Sequence, residues 1–205
     1  MIQKNIIPRW EWRTFGNSFG TCRELIENRE LGNYKKNREI YILSKVSGNN
    51  VKIRNQTVEV KTLQTVNDIG LEQWCPAMKA RFPLSRDELT LVGRYLGVKI
   101  PSLSQPTASL ESFLRFADLH PAYFRTVKVE KSRYIYVIDQ CIVEYVNLSV
   151  EGLSSATVCV EHTDAKQVTD IVNRMGLGGR PNTSYVKELK KITSLNDVRK
   201  IREMY

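Results

Sequence analysis

The segment around residues 51 to 61 alternates apolar and charged residues with a period of two, and this pattern constrains the fold most strongly. Residues 51–54 and 57–63 are typical of two strands joined by the two-residue turn Asn55-Gln56. The register predicted by that turn pairs Arg54 with Thr57, Lys52 with Glu59, and Asn50 with Lys61. One face of the hairpin then has three cations and one carboxylate, whereas the other face has only valine and isoleucine.

A face with this many cations needs either solvent or a bound anion. Like charges at cross-strand distance repel by about 1 kcal/mol per pair in water, and by more at a lower dielectric. For any single strand, the wet outer face of an ordinary sheet is an adequate alternative interpretation. The alternation recurs, however, at Arg9/Glu11/Arg13, at Lys131/Arg133 and at Thr157/Cys159/Glu161. If these strands curl into a barrel, their charged faces converge on a basic interior that could also hold a metal ion.

The remaining periodicity predicts a mixture of strands and helices. Strand patterns cover 9–15, 39–43 and 122–161, the last with breaks near 130–132, 139–140 and 151–155. Helical patterns cover 22–31, 67–80, 85–96, 109–120, 164–175, 184–192 and 195–204. Trp10, Trp12 and Trp74 are expected to pack helices against the outside of the sheet. We expect one α+β domain over residues 1–205, with two strand-rich halves joined by a Pro- and Ser-rich loop near 98–108.

The charge of the chain points to a polyanionic partner. Lys and Arg number 31 against 22 Asp and Glu, a formal net charge of +9. A positive charge of this size could attract nucleic acid, an acidic membrane surface or a phosphate-rich small molecule. The sequence shows neither an apolar run long enough for a membrane-spanning helix nor a signal-peptide core, so we expect a cytoplasmic protein. The spacing of the four cysteines argues against a zinc site or a disulfide framework.

Several short motifs, in this order along the chain, resemble the CYTH, or triphosphate tunnel metalloenzyme, superfamily. The run KIRNQTVEVKTL is similar to its K-x-R hairpin with a strand ending in lysine, and VEKSRY is similar to its second K-x-R segment. TVCVE resembles its later acidic strand, and NTSYVKEL resembles the segment that leads into its C-terminal helix. The resemblance spans most of the chain. It implies an antiparallel eight-stranded β-barrel, a tunnel with flanking helices.

The resemblance also implies a site and a chemistry. Members of this family bind triphosphates through inward cations, hold Mg²⁺ or Mn²⁺ on inward carboxylates, and hydrolyse triphosphates, cyclise ATP or handle polyphosphate. Carried over by position, the phosphate-binding residues are Lys52, Arg54, Lys131 and Arg133, with Arg125 and Lys128 as further cations. The metal-binding residues are Glu11, Glu59 and Glu161. The catalytic residues are Arg13, Lys61 and Glu144, of which Arg13 and Lys61 also contact phosphate.

Two positions depart from the family pattern. The opening strand of the family reads E-x-E-x-K, whereas this chain has Arg9, Glu11 and Arg13, so one acid is replaced by a base. The later strand often reads E-x-E, whereas this chain has Cys159 and Glu161. A thiol is a poor ligand for Mg²⁺, which prefers hard oxygen ligands. Because of these two replaced acids, we expect substrate binding more firmly than hydrolysis of the substrate.

Three functions remain open at this point. The first is metal-dependent hydrolysis of a triphosphate or polyphosphate in a basic tunnel. The second is a non-catalytic polyphosphate-binding or nucleotide-binding module of the same fold. The third is a nucleic-acid-binding protein with an outer basic patch, which the inward placement of the cations disfavours. The expected partner is therefore a small molecule that contains a triphosphate, or polyphosphate. We do not expect a membrane partner. A homodimer is compatible with the sequence.

Overall fold

The computed structural model describes residues 7–27, 29–100 and 106–202 of the protein. The strands are β1 Arg9–Gly16, β2 Asn33–Ser44, β3 Asn50–Arg54, β4 Thr57–Val66, β5 Glu72–Arg81, β6 Leu84–Ser85, β7 Thr107–Ala108, β8 Phe124–Ile138, β9 Cys141–Val150 and β10 Leu153–His162. The helices are α1 Thr21–Glu27, α2 Arg86–Leu96, α3 Leu110–Leu119, α4 Ala165–Arg174 and α5 Tyr185–Arg202. In the described part of the chain, no helix is both long and apolar enough to cross a membrane.

Eight of the strands form a closed antiparallel barrel, and this confirms the predicted fold class. The order around the barrel is β1-β10-β9-β8-β2-β3-β4-β5, and β6 pairs with β7 in a separate small sheet. The ring closes where residues 9–11 of β1 pair with residues 72–74 of β5. Strands from both sides of the 98–108 segment belong to this barrel. Residues 101–105 of that segment lie outside the described part of the chain.

Tight turns set the register of the hairpins. Asn55 and Gln56 have φ of 49° and 56°, and Asp139 and Gln140 have φ of 47° and 66°. Two consecutive residues with positive φ are the signature of a type I′ turn, whose twist matches that of the flanking strands. The β3–β4 pairing of Lys52 with Glu59 and the other predicted pairs are confirmed.

Two layers of helices cover the outside of the barrel. Trp12, Val158 and Ile171 belong to one buried cluster, in which α1 and α4 pack against β1, β8, β9 and β10. A second cluster joins α2 and α3 to the outer faces of β3, β4 and β5. Ser85 and Glu88 form a reciprocal capping box at the start of α2, which satisfies backbone groups that the helix leaves unpaired. The predicted packing of Trp10 and Trp12 on the outside is confirmed.

A third apolar cluster fills part of the barrel interior. Val127, Val146 and Leu148 point inward from β8 and β9, and they pack against Tyr185 and Leu189 of α5. The first turns of α5 are buried here, so this helix blocks one end of the tunnel. Among the described residues, the charged side chains discussed below therefore line a tunnel that α5 blocks at one end.

Four local predictions are wrong in type or extent. Residues 67–80 are not a helix, because β5 begins at Glu72 and pairs along β4, and sheet pairing outweighs the helical propensity of Met78 to Ala80. The break predicted at 130–132 is absent, because β8 is continuous from Phe124 to Ile138. Helix α1 ends at Glu27 rather than at 31. The two C-terminal helices are one, α5.

Candidate functional site

Seven strands contribute side chains to one charged group inside the barrel, which we call the interior charge group. It consists of the cations Arg13, Lys52, Arg54, Lys61, Lys131 and Arg133 and the carboxylates Glu11, Glu39, Glu59, Glu144 and Glu161. Two of its ion pairs join strands that are not neighbours in the sheet. Arg13 of β1 reaches Glu144 of β9 at 3.5 Å, and Lys61 of β4 reaches Glu11 of β1 at 3.9 Å. Such contacts are possible only because these faces point into the barrel.

Glu39 lies at the centre of one half of this group and is completely buried. Its carboxylate accepts hydrogen bonds from the Nζ atoms of Lys131 at 2.7 Å and Lys52 at 3.1 Å, and from Arg54 at 3.4 Å. The Tyr41 hydroxyl is a fourth donor, at 3.1 Å. Burial by itself would raise the pKa of Glu39, but Lys131 and Lys52 outweigh it and hold this pKa far below the ordinary value. Glu39 is therefore a permanent anion that positions three cations.

Arg13 and Glu144 organise the other half. The Arg13 guanidinium contacts Glu11 at 3.0 Å and Glu144 at 3.5 Å, and its own exposure is only 4%. Arg133 donates to Glu144 from both Nε and a terminal nitrogen. Burial opposes ionisation of Glu144, but Arg13 and Arg133 lower the pKa of Glu144 below its ordinary value. These contacts hold both arginine side chains in place inside the barrel.

Lys131 is a buried cation whose charged form burial disfavours. Its Nζ lies 3.6 Å from the centre of the Tyr185 ring and donates to the Tyr41 hydroxyl at 2.7 Å. Burial lowers the pKa of Lys131 to about 7, and Lys52 and Arg13 add to this effect against the opposing attraction of Glu39. Lys131 thus changes its charge state near neutral pH, unlike an ordinary surface lysine.

Glu11, Cys159 and Glu161 form a candidate metal site at the open end of the tunnel. One ligand atom from each residue lies within 4.8 Å of the others. Burial raises the pKa of Glu161, and the nearby Glu11 carboxylate raises it further. Burial also opposes ionisation of Glu11, but Arg13 and Lys61 lower the pKa of Glu11 to about 2. A cation bound between the two carboxylates would relieve the repulsion that raises the pKa of Glu161.

A cavity of about 510 Å³ opens directly onto this site. Its walls include Arg9, Glu11, Lys61, Glu161 and the ring of Trp74. The prediction that Trp74 packs on the outside is therefore wrong. Trp74 lies on β5 opposite Arg9, and its indole nitrogen donates to Glu72 at 3.1 Å. The mouth of the tunnel thus combines an aromatic wall with charges.

Two of the predicted cations do not join the interior charge group. Lys128 is exposed on the outer face of β8, opposite to its buried neighbours Val127 and Val129. Arg125 lies at the blocked end of the barrel, where it contacts Glu151 at 3.5 Å. Glu59, predicted as a metal ligand, joins the group but contacts Arg54 at 2.9 Å rather than the three donors of the candidate metal site. The other predicted residues converge on the tunnel.

Sequence reasoning missed Glu39, Tyr41 and Tyr185. The alternation of Glu39, Tyr41 and Leu43 against Ile40 and Ile42 was the available signal for the first two. It places a carboxylate and a phenol on the face opposite to two isoleucines that pack under the helices. Tyr185 lies in the NTSYVKEL motif, but the sequence does not reveal that α5 enters the barrel and brings this side chain to the site.

A groove on the outer wall of the barrel is larger than the mouth cavity, at about 730 Å³. Lys36, Arg38 and Glu130 line it, and Arg38 is paired with Glu130 at 3.0 Å in full contact with solvent. Exposed pairs of this kind contribute little and bind anions weakly. The buried convergence of cations inside the tunnel is the better candidate site.

No protein-family model and no curated protein matches the chain. Among solved structures, the chain is similar to a proposed adenylate cyclase from Bacillus halodurans, with 18% identity over 89% of this chain and 96% of that one, at a TM-score of 0.49. It is similar to a protein from Pyrococcus horikoshii, with 14% identity over 86% and 97% of the two chains, at a TM-score of 0.48. It is also similar to a proposed adenylyl cyclase from Hippeastrum with a dominant triphosphatase activity, with 10% identity over 82% and 88%, at a TM-score of 0.43.

The closed ring of eight strands and the inward ladder of cations and carboxylates are the features that the sequence motifs lead us to expect. The K-x-R pairs Lys52/Arg54 and Lys131/Arg133 both face the interior. In its fold as well as in its motifs, this protein resembles the CYTH, or triphosphate tunnel metalloenzyme, superfamily.

Proposed function

We propose that this protein binds a triphosphate, or a segment of polyphosphate, inside the barrel and hydrolyses it with the help of a divalent metal ion. The observation that supports this most directly is the convergence of six buried or half-buried cations on one tunnel that α5 blocks at one end. Phosphoryl transfer depends mainly on positioning and on neutralising the charge of the phosphoryl oxygens. Arginine offers bidentate contacts for this purpose, and lysine offers point charges.

The charge balance of the tunnel supports a metal requirement. The interior charge group contains six cations and five carboxylates, so with every member ionised its net charge is 6 − 5 = +1. A triphosphate brings several negative charges, which this excess cannot neutralise in a site of low dielectric. Additional positive charge must enter with the substrate, either as a divalent cation or as protons taken up by groups such as Glu161.

The candidate metal site fits a divalent cation in part. Glu11 and Glu161 supply the carboxylate oxygens that Mg²⁺ and Mn²⁺ prefer, and Cys159 supplies a sulfur that suits softer ions better than Mg²⁺. When bound, such an ion would supply Lewis-acid stabilisation of the phosphoryl oxygens. We expect the Cys159→Asp substitution to raise the affinity for Mg²⁺ relative to Cd²⁺ by roughly tenfold. Calorimetric titration of both metals measures this ratio, and Cys141→Asn, at a buried thiol outside the tunnel, should leave it unchanged.

The side chains of the protein have distinct roles in this proposal. Lys52, Arg54, Lys131 and Arg133 hold the phosphoryl groups, and Glu39, Glu59 and Glu144 keep these cations in place. Arg13 and Lys61 stabilise the charge that develops on the phosphoryl oxygens nearest the open end. The mouth cavity beside Trp74 receives the remainder of the substrate, and a carboxylate there orients the attacking water.

Tripolyphosphate binding tests the proposal. We expect wild-type protein to bind tripolyphosphate in calorimetric titration, and Arg54→Ala and Arg133→Ala each to weaken binding by at least tenfold, the effect of losing one charge-assisted contact. Lys128→Ala is the matched control, because this lysine lies on the same strand as Arg133 and faces outward. Equal affinities in the three variants would rule out the tunnel as the binding site.

A non-catalytic binding module is the second candidate, and the replacement of acids at Arg9 and Cys159 is the observation that favours it. Phosphate release from a panel of triphosphates with Mg²⁺ or Mn²⁺ separates the two functions. Phosphate release by wild-type protein that decreases in the Glu161→Gln variant supports hydrolysis. Tight tripolyphosphate binding without release from any substrate supports the binding module.

A further inference from the structure

The ring of Tyr185, the first residue of α5, is fixed among the cations of the interior charge group. It stacks on Tyr41 with ring centres 5.7 Å apart, and it meets the edge of Phe15 at 5.2 Å. The Arg13 guanidinium carbon lies 4.5 Å from its ring centre, and Lys131 lies on it at 3.6 Å. These contacts hold the ring in one orientation between two cations from different strands.

The hydroxyl of this side chain is buried, and it has no hydrogen-bond partner among the residues that the structure describes. The contrast with Tyr41 is direct, because the Tyr41 hydroxyl both accepts from Lys131 and donates to Glu39. A buried hydroxyl without a partner is unfavourable, and native proteins rarely keep one without a reason. Water or a bound ligand must satisfy it.

The charges around Tyr185 indicate what that ligand is. Arg13, Glu144, Glu39 and Arg133 are the charged groups that act on the phenol, after burial itself. Both carboxylates are already engaged: Glu39 by Lys131, Lys52 and Tyr41, and Glu144 by Arg13 and Arg133. Burial raises the pKa of Tyr185 far above its ordinary value, so the phenol keeps its proton. It is a neutral donor beside cations that an anion would attract.

We propose that the Tyr185 hydroxyl donates a hydrogen bond to a non-bridging phosphoryl oxygen of the bound triphosphate, at the blocked end of the tunnel. This inference rests on the proposed function, because it assigns an additional ligand-binding residue to the same site. The same hydrogen bond would also set the direction in which the substrate lies in the tunnel. The terminal phosphoryl group reaches Tyr185, and the rest of the molecule extends towards Glu11 and the mouth cavity.

Tyr185→Phe is the decisive variant, since it removes one oxygen and keeps the ring contacts with Tyr41, Lys131 and Arg13. Calorimetric titration with tripolyphosphate, without divalent metal, should show affinity about tenfold weaker than that of wild type, the usual loss for one hydrogen bond to a charged acceptor. The unliganded melting temperature should stay equal or rise, because a hydroxyl without a partner is removed. Tyr34→Phe, at an exposed tyrosine outside the barrel, is the control and should bind as wild type does.

A second measurement is made on wild-type protein, and the variant serves only to assign the resonance. Wild-type protein labelled with fluorotyrosine should show one ¹⁹F resonance that is missing from Tyr185→Phe and that shifts when tripolyphosphate is added. Unchanged affinity in Tyr185→Phe, or a resonance that does not shift, would overturn the role of Tyr185. The proposed function would still stand in that case, provided that wild-type protein binds tripolyphosphate. If wild-type protein binds tripolyphosphate neither with nor without Mg²⁺, the proposed function fails and this inference fails with it.

Discussion

Glu39 shows how much one buried carboxylate can determine in a site made mainly of cations. It joins Lys52 of β3 to Lys131 of β8, and without it these two lysines would repel each other inside the barrel. No motif of the sequence marked Glu39, because the family-like patterns drew attention to the cations. Its role depends on a partner 92 positions away.

We expect Glu39→Gln to lower the free energy of unfolding by about 3–5 kcal/mol, because removing one partner of a buried ion pair leaves the other uncompensated. Urea denaturation measures this change. The matched control is Glu130→Gln, which breaks the exposed pair with Arg38 and should cost less than about 1 kcal/mol. Similar losses in both variants would mean that Glu39 does not hold a desolvated network.

If the proposed triphosphate site is correct, we expect Lys131 to make binding sensitive to pH. With a pKa of about 7 in the free protein, Lys131 is mostly neutral at about pH 8 and mostly charged at about pH 6. A bound polyanion stabilises the charged form and raises this pKa, so binding at about pH 8 should take up to about one proton onto Lys131, whereas binding at about pH 6 should not.

Calorimetry in two buffers with different ionisation enthalpies measures this uptake. Lys131→Arg is the control. Because arginine stays charged over this pH range, this variant should show no proton uptake from residue 131 when tripolyphosphate binds. The same uptake in both proteins would assign the proton to another group, such as Glu161 or the substrate itself.

At the scale of elements, α5 limits the space that the barrel interior offers to a ligand. Its residues Tyr185, Val186 and Leu189 fill the barrel together with Val127, Val146 and Leu148. If the proposed function is correct, a tunnel blocked in this way would admit a triphosphate from one side only, and one end of the phosphate chain would have to be free.

We therefore expect adenosine triphosphate and tripolyphosphate to compete for the site, whereas a triphosphate capped by a nucleoside at both ends should bind at least 100-fold more weakly. Competition against labelled tripolyphosphate measures the three affinities. Comparable binding of the doubly capped compound would show that α5 moves aside or that the substrate lies outside the tunnel.

The elements that sequence patterns predicted well are those whose signals are local. The β3–β4 hairpin follows from one two-residue turn, and α2 follows from Ser85, Glu88 and the left-handed Gly97. The β5 strand was mistaken for a helix because its pairing with β4 includes irregular register near Lys61 and again after Leu63, which obscures the period of two. Strand β8 was expected to break where Lys131 turns inward, but Glu39 compensates this charge and the strand continues.

At the scale of the whole molecule, two of the strand pairings that close the barrel are short: β1 with β5, and β2 with β3. Strand β1 pairs with β5 only over residues 9–11, whereas β2 pairs with β8 from Asn33 to Ser44. Lys61 and Glu11 lie on opposite sides of β5 and contact each other across the interior. A ligand that binds both residues would hold the β1–β5 pairing closed.

Hydrogen exchange should report this difference. Amides at 9–11 and 72–74 should exchange faster than those at 36–42 in the free protein, and tripolyphosphate should slow the first set by at least tenfold. The β2–β8 amides serve as the internal reference. Equal protection of both sets before ligand is added would show that closure does not depend on the site.

The sequence by itself determined which side chains share a strand face, because alternation in an extended chain is a local property. It thereby placed Lys52 with Arg54 and Lys131 with Arg133. Alternation does not decide which face points inward, and only closure of the barrel turned these faces towards one another. Closure also removed water, which shifts the pKa values of Lys131 and Glu161, and it brought Glu39 and Tyr185 to cations far away in the chain. Burial and long-range contact are properties of the folded chain, and they converted a set of alternating strands into a site.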